Sequence, residues 1–100
     1  MENSKNINLE IEYPKKGITS KSLFDYKNND VTLFCMSADS KMSEHTSIKR
    51  GIIYVVEGDG EFILEKEKIK MSSGVTIFMK ENAKHSLKAN KNTSFILSLN

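Results

Sequence analysis

Two imidazoles carry most of the chemistry this chain can offer near neutral pH. His45 and His85 are the only histidines among its 100 residues. An imidazole changes charge close to physiological pH, and its neutral form takes a proton or a metal. His45 stands in Glu44-His45-Thr46-Ser47, ahead of the apolar run Ile52 to Val56 and the bend Gly58-Asp59-Gly60. His85 follows Gly74-Val75-Thr76-Ile77-Phe78-Met79 and a polar turn. A small β-barrel would point both rings inward. Two such rings in one cavity could bind a ligand, hold part of a metal shell or pass a proton. Plain ligand binding is the favoured expectation, because a barrel histidine more often lines a binding wall than catalyses.

Other reactive side chains fit bland roles better. Cys35 is the single cysteine, which excludes an internal disulfide and a cysteine-based zinc knuckle. It sits among apolar neighbours and is expected to be a small buried hydrophobe rather than a reactive thiol. Asp59 lies between two glycines and is first a turn residue. Arg50 is expected to be a solvated turn charge rather than a group greeting an anionic ligand.

The elements that must position the histidines follow a period of two. Ile7, Leu9 and Ile11 alternate with Asn8 and Glu10 before Pro14, which predicts an N-terminal strand. Leu23 and Phe24 mark a short second strand before the turn cluster Lys27-Asn28-Asn29-Asp30. Val31, Leu33 and Cys35 share one face of the next strand, and Thr32, Phe34 and Met36 the other. Both faces carry apolar groups, so this strand should be covered on both sides. Ile52 to Glu57 is the most continuous apolar strand. Glu61 to Glu65 and Lys68 to Met71 flank a charged hairpin tip, and Val75 to Met79, His85 to Ala89 and Thr93 to Leu99 complete the set. About eight or nine short strands at even spacing predict an all-β sandwich or barrel.

Size and charge bound the function. One hundred residues make one domain with one modest core. The formal charge is +2, the lysines are scattered, and Arg50 is the single arginine, which argues against nucleic-acid binding. No apolar run approaches a membrane span, and Met1 to Asn8 is too polar for a secretory signal, so the expected compartment is the cytoplasm.

The stretches His45 to Phe62 and Gly74 to Ala89 resemble the two motif regions of the small single-domain cupins. With Gly58 aligned to the last glycine of the first motif, His45 takes the first histidine position. Ser47 stands where the second histidine belongs, and Gly51 where the glutamate belongs. In the second motif Gly74 and His85 fall at the family spacing, while Lys80 replaces the proline, Asn82 the middle glycine and Ala89 the last asparagine. The resemblance covers roughly residues 20 to 99. It implies a jelly-roll barrel of two antiparallel sheets with a site at the barrel mouth.

In such a barrel Ser47, Leu87 and Ala89 should face in with His45 and His85, and Tyr54 is a candidate to reach in from the neighbouring strand. The expected ligand pocket is therefore His45, Ser47, Tyr54, His85 and Leu87. Of the four family metal ligands, His45 and His85 remain. They could hold a divalent transition metal (iron, manganese, nickel or zinc) only if water or the ligand completes the shell. The expected function is binding of a small organic ligand. The alternative is a metal-dependent cupin enzyme of the isomerase, decarboxylase or oxygenase type. Residues 1–19 are expected to form an N-terminal strand and lead-in that pairs with a second subunit in a homodimer, and residues 20–100 the barrel domain.

Overall fold

The computed structural model describes residues 2–24, 26–28 and 30–100. The expected turn Lys27–Asp30 includes Asn29, which lies outside the described residues. One helical turn, α1 (Ile7–Glu10), precedes β1 (Ile18–Ser22), β2 (Val31–Met36), β3 (Lys41–His45), β4 (Gly51–Glu57), β5 (Gly60–Leu64), β6 (Glu67–Met71), β7 (Thr76–Met79), β8 (His85–Ala89) and β9 (Thr93–Leu99). One sheet has the order β1-β2-β9-β4-β7 and the other β3-β8-β5-β6. Every pairing is antiparallel. The fold is all-β, a jelly-roll barrel of two antiparallel sheets.

Alternation along the strands builds the interior. In β4, Gly51, Ile53 and Val55 are buried, while Ile52 and Tyr54 are exposed. In β8, His85, Leu87 and Ala89 are buried. Met36, Val55, Phe62 and Met71 are completely buried, and with Ile53, Ile77, Met79, Leu87 and Phe95 they fill the space between the sheets. Each such side chain contributes roughly 1.5–3 kcal/mol through burial. Phe34 and Phe95 are cross-strand partners whose rings stack at 5.0 Å, tying β2 to β9.

Strand β2 is covered on both faces, as its composition requires. Met36 enters the barrel core, whereas Leu33 and Cys35 join Leu23 in a second cluster on the outside of the sheet. That cluster is roofed by Ile7, Ile11 and Tyr13. Cys35 is a free, buried thiol.

The expected strand at Ile7–Ile11 does not form. The Asn6 side chain caps the Asn8 N–H at 3.0 Å, and Ile11 N–H closes a turn on the Ile7 carbonyl at 3.2 Å. Ile7 and Ile11 are four residues apart, so the turn places both on the sheet while Leu9 points to solvent. Asn is a favourable N-cap, and here it overrides the alternation. The N-terminal segment therefore packs on its own sheet as a helical turn rather than the expected strand. The first strand, β1, runs across the expected boundary at residues 19 and 20. Leu23 lies just past the end of β1, its N–H bonded to the Val31 carbonyl, so the expected strand at Leu23–Phe24 is displaced toward the N-terminus.

Candidate functional site

His85 is the first residue of β8, and its antiparallel neighbours are the last residues of β3 and β5, His45 and Leu64. All three thus mark one end of the barrel. The His45 and His85 rings meet edge to face, with centroids 4.1 Å apart at 62°. On its other side the His85 ring lies parallel to the ring of Phe62, with centroids 5.8 Å apart. His85 is buried; His45 is exposed and covers it from the solvent side.

A β-bulge makes this pairing possible. Met42 pairs with Leu87 and His45 with His85, so β3 uses three steps where β8 uses two. In a regular ladder Glu44, not His45, would oppose His85. The extra residue restores His45 to the side of the sheet that Met42 occupies against the core.

Backbone carbonyls fix both rings. His45 Nδ1 lies 2.7 Å from the Ser43 oxygen and His85 Nδ1 3.0 Å from the Ala83 oxygen. A carbonyl can only accept, so each Nδ1 carries the proton and donates it. In the neutral ring each Nε2 is then a bare acceptor. Among the described residues no buried side-chain nitrogen or oxygen lacks a partner. Among the described residues no group bonds the His85 Nε2, so that atom is the part of the ring open to solvent. The His85 pKa is lowered from the ordinary value of 6.5, first by burial and also by the neighbouring His45, against the opposing bond to Ala83. The site thus keeps an uncharged imidazole with its lone pair available.

The remaining expected site residues divide. Leu87 is buried in the core two residues along β8, on the same side as His85. Ser47 lies in the loop after β3. Its hydroxyl accepts from the Lys49 N–H at 3.2 Å and its carbonyl from the Asn82 N–H at 2.7 Å, which ties that loop to the β7–β8 turn. Tyr54 does not join the histidines. It is 45% exposed on the outer face of β4, because Ile53 and Val55 take the inward positions. Arg50 and Asp59 are not in the ring cluster. Arg50 is exposed, and Asp59 caps a turn through its carbonyl, which accepts from the N–H groups of Asn90 and Lys91.

Sequence reasoning missed Phe62 and Leu64 as walls of the site. Their alternation with Glu61 and Ile63 gave their face but not their neighbour. It also missed the Ser43 and Ala83 carbonyls, for which no side-chain signal exists. A groove of about 480 Å³ runs beside the histidine end, lined by Leu64, Phe78 and Ala83 and rimmed by Glu65, Lys66, Glu67, Lys80 and Glu81. It shares Ala83 and Leu64 with the surroundings of His85.

The donor set can be tested against a metal. No group of three or more His, Cys, Asp or Glu side chains gathers among the described residues. Resident first-row metals usually have at least three protein ligands. Two imidazoles do not fill that shell.

No protein-family model matches the chain, and no curated protein matches it by sequence. Solved structures do. A cupin superfamily protein from Desulfitobacterium hafniense matches with a TM-score of 0.85 at 14% identity, over 99% of this chain and 92% of that one. KdgF from Halomonas sp. matches at 0.75 and 24% identity, over 98% and 92%. A predicted oxalate decarboxylase from Thermotoga maritima matches at 0.74 and 14% identity, over 82% and 78%. The chain has the fold of a small, single-domain cupin. No helix among the described residues is long and apolar enough to cross a membrane.

Proposed function

We propose that this protein binds a small organic ligand at the histidine end of the barrel, through the Nε2 atoms of His45 and His85. The observation that carries this is the pair of Nδ1–H bonds to the Ser43 and Ala83 carbonyls, which leaves an unprotonated Nε2 on each of two rings whose centroids lie 4.1 Å apart. Two fixed acceptors suit a ligand with two hydrogen-bond donors, such as a polyhydroxylated or amino-substituted molecule. The adjoining Leu64 and Ala83 surface suits its apolar part. The barrel interior is filled by side chains, so the ligand lies at the mouth rather than deep inside.

The test is to purify the protein without added metal or an affinity tag and identify small molecules released on denaturation. One organic compound is expected near stoichiometry, and it should be lost from a His45→Ala, His85→Ala double variant. No such compound, or one retained by the double variant, overturns the proposal.

A second reading is a metal-dependent enzyme in which a divalent metal shares the two Nε2 atoms and the ligand completes its shell. It is favoured by the same tautomers, since histidine ligands commonly donate the other ring N–H to a carbonyl. The predicted oxalate decarboxylase among the structural neighbours adds support. Near-stoichiometric metal that disappears in the double variant would select this reading.

A further inference from the structure

The molecule has two separate apolar cores, and its N-terminal segment packs on only one of them. Among the described residues, the core between the sheets includes none before Ile18. Ile7, Ile11 and Tyr13 lie instead on Leu23, Leu33 and Cys35, over the outer face of β2. No residue of α1 is itself buried. Among the described residues, no strand of the segment joins either sheet, and its hydrogen bonds to the rest of the chain run through two side chains. The Tyr13 hydroxyl reaches Glu57 Oε2 and Ser94 Oγ. Lys21 Nζ donates to the Glu10 carbonyl at 3.4 Å and lies 3.3 Å from Glu10 Oε1.

The cover does not close fully on the sheet. A cavity of about 320 Å³ lies between Glu10, Tyr13 and Pro14 of the segment and Lys21, Leu33 and Cys35 of β1 and β2. A pivot is also present. Lys15 and Lys16 are exposed, and Gly17 takes φ +85°, which costs glycine little. Beyond it the chain is fastened. The Gly17 carbonyl accepts from the Ser37 N–H at 3.0 Å and the Ser37 hydroxyl at 3.1 Å, and β1 begins at the next residue.

We propose that residues 2–14 form a strap that releases from the sheet as a unit, pivoting on residues 15–17, while the barrel stays folded. Parts of a protein with few buried contacts open at lower free energy than the core, and this segment takes no part in the core between the sheets. Release removes the roof over Leu23, Leu33 and Cys35 and turns a covered apolar face into an open one. The device is independent of the ligand proposal. Its latch is at the Glu57 end of β4, close in sequence to the Gly60 start of β5, whereas His85 pairs with Leu64 at the far end of β5.

Cys35 is the reporter, because it is the single thiol and is only 3% exposed beneath the segment. Labelling of the native full chain with dithionitrobenzoate, beside amide hydrogen exchange, tests the proposal. In the wild type the thiol should open to reagent at least about 100-fold more often than the slowest amides of β4 and β9 open to water. The amides of β1 bonded to β2 should stay at least about tenfold better protected than the thiol. Urea below the unfolding transition should barely change the labelling rate, since release exposes little surface. Tyr13→Phe should speed labelling at least about fivefold with unchanged far-ultraviolet circular dichroism. Labelling no more frequent than core opening, or in step with the β1 amides, overturns the proposal, as does a folded Tyr13→Phe variant that labels no faster. Should that variant fail to fold, the wild-type comparison of thiol, β1 and core decides alone.

Discussion

His45 faces His85 because β3 carries one more residue than β8 between the pair and the Met42–Leu87 contact. That bulge turns a strand that would have offered Glu44 to His85 into one that offers a second imidazole. A carboxylate there would have drawn His85 toward its charged form. The imidazole, with the burial of His85 as the larger cause, pushes it toward the neutral form instead.

Stability should fall in mild acid for this reason. His85 has a lowered pKa in the folded protein, so the unfolded chain binds a proton at a pH where the native one does not. The stabilisation is complete above the ordinary value of 6.5 and is lost as pH falls from there through the folded pKa. Within that window each pH unit costs up to about 1.4 kcal/mol. Urea unfolding at a series of pH values checks this. His85→Asn, which can keep a donor for the Ala83 carbonyl, should flatten the slope. An equal slope in the variant would assign the acid sensitivity to other groups.

Gly58 and Gly74 both have positive φ, at +129° and +90°, yet alanine should be tolerated very differently at the two. At Gly74 a Cβ meets nothing within 4 Å, so Gly74→Ala pays only backbone strain, about 1–2 kcal/mol. At Gly58 the Cβ would lie 2.5 Å from the Thr93 Cα, a backbone atom that cannot step aside alone. Thr93 is fully buried, and its hydroxyl holds the Asp59 N–H. Strain plus overpacking should make Gly58→Ala cost roughly 2–5 kcal/mol. Chemical denaturation of the two variants gives the comparison, and equal losses would refute it.

Tyr13 should act as the clasp of the N-terminal segment. Its hydroxyl bonds Glu57 Oε2 at 2.7 Å and Ser94 Oγ at 3.0 Å, joining the segment to the ends of β4 and β9. Ser94 is fully buried, so Tyr13→Phe removes a partner from a hydroxyl with little access to water and should cost about 1–3 kcal/mol. Burial raises the Tyr13 pKa to about 12; the Ser94 bond opposes this, and the bond and charge of Glu57 add to it. The unfolded chain therefore loses this proton first, and stability should fall as pH rises above 10.0 toward about 12. Tyrosinate absorbance should show one late phase, absent in Tyr13→Phe. A titration without that phase would place the phenol in open water.

The strand layout could be read from one sequence because burial on one face forces alternation, and because Gly, Asn and Asp clusters punctuate it. Val31 to Met36 even announced its two-sided burial, since both parities are apolar. At Ile7, Leu9 and Ile11 the same spacing supports a strand or a helical turn with two apolar residues four apart, and the Asn6 cap chose the turn. Tyr54 is a candidate to reach the site from the neighbouring strand, but its parity against Ile53 and Val55 turns it outward.

The chain's own order of residues determined that two histidines exist, that His85 opens a strand, and that the intervening segments roll into two sheets; the strand that ends on His45 emerged only in the fold. Their meeting was decided in three dimensions. A bulge is a misfit between two strands, one residue against its partner's spacing, and it belongs to neither strand alone. The same holds for the Ser43 and Ala83 carbonyls, since every residue carries one and only the folded backbone selects which of them aims at a ring.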